Sequence, residues 1–151
     1  MDISTITEAF SDVTIQSPTV GVMLAGLLAV ALVFLSAFAS GSEIAFFSLS
    51  PSDVAELEDG KNPSDRKIQM LREDSERTLA TILITNNFVN VMIVMLLSNI
   101  FVSIVKFGPK AYWLEFLIMT VFLTFLLLLF GEIMPKVYCR QNPLRFCRRC
   151  V

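Results

Sequence analysis

Three long apolar runs decide what this chain can become. They cover about residues 20–47, 79–105 and 111–135. Each reaches the ~20 residues needed to cross a hydrocarbon core about 30 Å thick. A soluble domain of 151 residues would divide its apolar segments into shorter amphipathic pieces. Here they are concentrated, in a chain that is 54% hydrophobic and only 17% charged. Backbone in lipid must satisfy its own hydrogen bonds, so runs of this kind fold as helices. The expected fold is an all-α integral membrane domain with three transmembrane helices and a belt of short juxtamembrane amphipathic helices. The net charge of −2 gives no general attraction to nucleic acid, and no such partner is expected.

The belt is read from residues 50–77. Ser50-Pro51-Ser52-Asp53 supplies a capping hydroxyl and a first-turn proline, a helix start that Gly60 would end. Asn62-Pro63-Ser64-Asp65 repeats the signal before Ile68, Met70 and Leu71. The charges here are mixed in sign and predict a solvated face. Lys106-Phe107-Gly108-Pro109-Lys110 carries turn signals between the second and third runs. Tyr112 and Trp113 suit the interfacial start of the third.

Residues 1–19 form an extracytoplasmic segment in this reading. Its first 18 residues contain no Lys or Arg, so they do not open like a signal peptide. Five basic residues lie in the belt (Lys61, Arg66, Lys67, Arg72, Arg77) and five in the tail (Lys136, Arg140, Arg145, Arg148, Arg149). The positive-inside rule then predicts a multi-pass protein of the cell inner (plasma) membrane, N-terminus outside and C-terminus cytoplasmic. Cys139, Cys147 and Cys150 all fall near the end. Cys147 and Cys150 have the spacing of half a zinc site without a second half. Reduced thiols beside the membrane are the expectation, with lipidation or metal binding left open. The chain stops in a basic, aromatic stretch, and we expect it to be the membrane part of a longer protein.

Each apolar run contains one polar cluster. Ser36, Ser40, Ser42 and Glu43 lie near the end of the first, Asn86, Asn87 and Asn90 in the second, and Gly131 and Glu132 in the third. Polar groups at such depth are expensive and mark a task or a partner. The predicted topology places all three clusters in the inner half of the bilayer. Ser36, Ser40 and Glu43 share a helix face, and Asn90 shares one with Asn86 or with Asn87. Pro135 cannot donate to the carbonyl of Gly131, so a kink there would bare that oxygen. Hydroxyls, amides, a carboxylate and a free carbonyl form an all-oxygen set suited to hard cations such as Mg²⁺. A second reading stands beside this one. Ser and Asn serve as hydrogen-bonding glue between membrane helices, Glu43 and Glu132 reach the interface or pair with Lys136, and Pro135 is a kink only. An enzyme is not expected: there is no histidine and no paired aspartate within the runs.

Ser40-Gly-Ser-Glu-Ile-Ala-Phe-Phe-Ser48, Asn86-Asn-Phe-Val-Asn90 and Gly131-Glu-Ile-Met-Pro-Lys136 resemble, in order and spacing, the signature segments of the CNNM/CorC transmembrane domain. The resemblance covers about 20–150. It implies a homodimeric three-span domain, followed in full-length members by CBS domains that are absent here. It also implies a role in Mg²⁺ efflux with Na⁺ entry as the driving force. Carried over residue by residue, it assigns Mg²⁺ ligation to Ser36, Ser40, Asn90, Gly131 and Glu132, with Asn87 and Glu43 as secondary candidates. The stretch Phe46-Phe-Ser-Leu-Ser-Pro51 further resembles the Bacteroidetes branch associated with gliding motility. Two functions follow: the membrane domain of a Na⁺-coupled Mg²⁺ exporter, or a membrane scaffold or ion sensor that does not transport, accessory to an envelope or gliding and secretion machine.

Overall fold

A computed structural model describes residues 13–106 and 112–151. The expected turn after Lys106, the start of the third run at Ala111 and most of the N-terminal segment lie outside the described residues. Helix α1 spans Val20–Phe47, capped by Thr19, whose hydroxyl accepts from Val22 N at 3.4 Å. It is apolar on every side along most of its length, as a helix surrounded by lipid and packed neighbours should be. At about 42 Å by helical rise it exceeds the hydrocarbon core, so its far end emerges toward the belt.

The first belt helix follows its sequence signals; at the second, Ser64 makes no capping hydrogen bond. Helix α2, Pro51–Glu58, begins with a capping box in which Ser50 and Asp53 each bond the other's backbone N–H. The hydrogen bond from Ser50 holds the Asp53 carboxyl below its ordinary range. The chain leaves α2 through Gly60 at φ +62°, a conformation that costs a residue with a Cβ. Helix α3 covers Asp65–Glu73 and helix α4 Ser75–Ile104. Helix α4 therefore starts four residues before the second apolar run, carrying a polar first turn up from the belt.

The third span is one rod, Tyr112–Gln141, built from α5 (Tyr112–Leu126), a π-helical segment (Leu127–Ile133) and α6 (Met134–Gln141). The helix runs on through Pro135, the position of the expected kink. Met134 N donates to Leu129 O, five residues back. The wider turn absorbs the residue that cannot donate, and the rod continues past it. Helix α7, Pro143–Cys150, returns along the belt.

Among the described residues, three helices are long and apolar enough to cross a membrane, and the fold is an all-α membrane domain. Helix α1 is the hub, packing against α4, the π segment, α6 and α7. Midway along it, Leu32 meets Val89 and Ile93, with Leu127 against them. At the belt, Ala45, Leu57, Ile68, Cys139, Leu144 and Cys147 form a second apolar cluster. Neither Cys139 nor Cys147 forms a disulfide. At the opposite end, a two-residue antiparallel pair joins β1 (Thr14–Ile15) to β2 (Val105–Lys106). It ties the segment before α1 to the end of α4, placing both on the side away from the belt.

The charges of the belt are not uniformly solvated, which corrects the sequence expectation. Asp65 is fully buried. Arg148 donates to both its carboxylate oxygens, Nε–Oδ1 at 2.8 Å and Nη2–Oδ2 at 3.2 Å, and reaches Glu56 Oε1 with Nη1 at 2.7 Å. Asn62 N adds a further donor to Asp65 at 3.0 Å. One guanidinium therefore fastens α2 and α3 to α7.

Candidate cation site

Ser36 on α1, Asn86 on α4 and Gly131 in the π segment sit at matching depth. Residue 36 against the α1 end at 47, residue 86 against the α4 start at 75, and residue 131 against the rod end at 141 each measure about 15–17 Å at helical rise. The structure brings them together. Ser36 is fully buried, and its Oγ lies 2.9 Å from Asn86 Oδ1 and 2.6 Å from Asn90 Oδ1. A Cβ on Gly131 would stand 3.3 Å from Ser36 Oγ and 3.9 Å from Asn90 Oδ1. The glycine is what lets the third helix approach this cluster.

The cluster has more acceptors than protons. A serine hydroxyl carries one hydrogen, so it can donate to one of the two amide oxygens at a time. Two ways of closing the balance exist. One amide turns over and donates an N–H to Ser36, or both oxygens stay inward and a cation supplies the missing positive charge. One turn toward the belt, Ser40 Oγ is also fully buried and finds no hydrogen-bond partner among the described residues. An orphaned hydroxyl beside an acceptor-rich cluster extends the same demand for a donor or an ion.

The other sequence candidates divide. Asn87 is exposed on the outer face of α4 and is not brought to the cluster. Asn86, its buried neighbour, takes that place. Glu43 is half-buried and bound to Lys136, with Nζ 3.3 Å from Oε2. Glu132 is half-buried beside Gly131 and forms no ion pair among the described residues. Pro135 lies just beyond the π segment that compensates for it. Among the described residues, no three His, Cys, Asp or Glu side chains gather closely enough to hold a metal ion. Any cation held here draws mainly on hydroxyl and amide oxygens. Such a set carries little formal charge.

Sequence comparison bears on the same helices. The model of the cyclin M (CNNM) transmembrane N-terminal domain matches residues 27–151. The chain belongs to the CNNM transmembrane-domain family. It is also similar, at 36% identity over 123 residues, to a putative DUF21 domain-containing protein, chloroplastic, of Arabidopsis thaliana. That alignment covers 82% of this chain and 18% of the relative, so the chain spans under a fifth of that protein's length. All three polar clusters of this CNNM domain fall inside the matched region.

Two features of the CNNM domain are not resolved by its sequence. Helical spacing lets either Asn86 or Asn87 share a face with Asn90. The signal that could have separated them is the apolar face of Val89 and Ile93, which turns toward α1 and carries Asn86 and Asn90 beside it. The second feature, the Asp65–Arg148 latch, joins residues far apart in sequence and left no local signature.

Proposed function

We propose that this chain is the membrane domain of a Mg²⁺ transporter that exports Mg²⁺ in exchange for Na⁺, working as a homodimer in the cell inner membrane with its belt in the cytoplasm. The role is transport without catalysis. The observation that carries the reading is the convergence of Ser36, Asn86 and Asn90 oxygens, with one hydroxyl proton among them, at a depth shared by all three spanning helices. Hard cations take oxygen ligands, and Mg²⁺ keeps several waters when its protein ligands are few. In this reading Mg²⁺ enters from the belt side, passes Glu43 and Lys136, and exchanges part of its water shell for Ser36, Ser40, Asn86 and Asn90. Glu132 supplies charge balance. The π segment beside Gly131 is the part of the third helix that changes as the site opens alternately to each side.

The deciding experiment is Mg²⁺ flux in proteoliposomes, with and without an opposing Na⁺ gradient, for wild type and Asn90→Ala, with the longer protein run in parallel. Flux that needs Na⁺ and disappears in the variant supports the exporter. Mg²⁺ binding without flux in either length of chain sinks it and leaves a scaffold or ion sensor.

A further inference from the structure

A cavity of about 520 Å³ opens between the belt ends of α1 and α4, with α3 beneath it and Cys150 and Val151, at the end of α7, on its remaining side. That is the size range of small-ligand sites. Its α4 wall is a single face of the helix and its cap: Asp74, Arg77, Thr78, Thr81 and Ile82, spaced i, i+3, i+4, i+7 and i+8. The α1 wall is likewise one face, Phe38, Ser42 and Phe46.

The cavity's two charged side chains lie at one end, beside Phe46, Met70 and Leu71. Asp74 and Arg77 stand at the belt end, while Ile82 and Phe38 lie eight residues deeper than Asp74 and Phe46, or about 12 Å at helical rise. The hydroxyls between are already engaged: Ser42 Oγ donates to Phe38 O, Thr78 Oγ1 to Leu71 O and Thr81 Oγ1 to Arg77 O. Asp74 and Arg77 are different. Both are exposed, and neither forms an ion pair among the described residues. The cavity therefore offers one cation and one anion at its mouth and an apolar channel leading toward the membrane core.

We propose that this cavity binds one aminophospholipid, phosphatidylethanolamine, from the leaflet on the belt side. Arg77 takes the phosphodiester, Asp74 accepts from the primary ammonium, and an acyl chain lies between Phe38 and Ile82. Charge complementarity selects the headgroup. An anionic glycerol headgroup satisfies Arg77 but is repelled by Asp74. A choline headgroup brings a positive charge with no N–H to donate, whereas charge-assisted hydrogen bonds are the stronger kind.

The test is native mass spectrometry of this chain in detergent micelles, titrated with dioleoyl phosphatidylethanolamine, phosphatidylcholine or phosphatidylglycerol. Wild type is expected to retain one phosphatidylethanolamine in preference to the other two. Arg77→Ala should lower that retention about tenfold, the worth of one charge-assisted hydrogen bond, and Arg77→Lys should restore most of it. Asp74→Asn should move the preference to phosphatidylglycerol, a reversal that loss of fold would not produce. Ile82→Trp, filling the channel, should abolish retention of all three. Equal retention of the three lipids by wild type overturns the proposal. An unchanged preference in Asp74→Asn, or phosphatidylethanolamine still held by Ile82→Trp, overturns it as well.

Discussion

Arg148 and Asp65, 83 residues apart in sequence, meet through two hydrogen bonds of 2.8 and 3.2 Å, and the carboxylate so held is fully buried. The pairing is a planar fork against a planar carboxylate, the geometry that a lysine cannot reproduce. It makes the belt one body rather than three separate short helices, none of which is long enough to be stable alone.

The latch predicts an acid limit. Hydrogen bonding from Arg148 lowers the Asp65 pKa below its ordinary 3.8. A depressed carboxylate pKa contributes stability above the unfolded value and loses it as pH falls through the folded value. Belt helicity should therefore be flat from neutral pH to about 4 and fall below it. Asp53, lowered by Ser50, titrates in the same window. Asp65→Asn should remove part of the acid step and lower thermal stability at neutral pH, read by circular dichroism.

Neighbouring asparagines should behave differently. Asn86 is buried against Ser36, while Asn87 is exposed. Asn86→Ala is expected to weaken Mg²⁺ binding by about tenfold or more, the scale seen when a ligand-orienting group is lost. Asn87→Ala should leave it within about twofold on the same scale. Isothermal titration of the two variants checks this; the reverse order would relocate the site.

Gly131→Ala tests the crowding of the cluster. Its Cβ would stand 3.3 Å from Ser36 Oγ, with Leu127 Cδ2 at 3.8 Å. The neighbours can give by a few tenths of an ångström, so folding should survive. Protection by Mg²⁺ against thermal unfolding should shrink, because protection follows affinity. Full protection in the variant would mean that the methyl does not reach the ion.

Gly41 marks a tighter crossing. A Cβ there would lie 2.6 Å from Cys139 Sγ and 3.3 Å from the Phe146 ring. Gly41→Ala should destabilise by about 1–3 kcal/mol, the usual scale of overpacking. Adding Cys139→Ala removes the offending sulfur, so the double variant should recover part of the loss. A cycle of thermal unfolding measurements yields the coupling.

Thiol labelling should rank the cysteines. Burial pushes the Cys147 thiol up to about 12, and burial also raises Cys150, which is only half-covered. Thiolate is the reactive form. A maleimide at neutral pH should modify Cys150 first and reach Cys147 only after denaturation, resolved by peptide mass mapping.

The spans were legible because length alone determines them, and α2 because Ser50, Pro51, Asp53 and Gly60 act within one turn of the residues they cap. The common depth of the polar clusters was also legible, since counting residues from a membrane boundary measures distance. What was hidden depended on phase or on distant partners. Spacing allowed either Asn86 or Asn87 to accompany Asn90, and packing of Val89 and Ile93 against α1 fixes the choice. Nothing near Asp65 announces Arg148, and nothing near Thr14 announces Lys106. Pro135 announced a disturbance but not its form, because a proline is accommodated equally well by a kink or by a widened turn upstream.

The widened turn also sets the timing of the third helix. Leu123, Gly131 and Cys139 are all buried and spaced by eight residues. In an α-helix eight residues overshoot two full turns by about 80°, so a regular rod would carry these three positions steadily around its circumference. A π-turn advances less per residue, so the segment 127–133, which contains Gly131, winds part of that drift back. The rod is thus two screws cut out of step, with a compensating thread between them. Deleting one residue from that thread would not shorten a loop; it would turn the whole belt-side half against the half above, taking Gly131 out of line with the serine it admits.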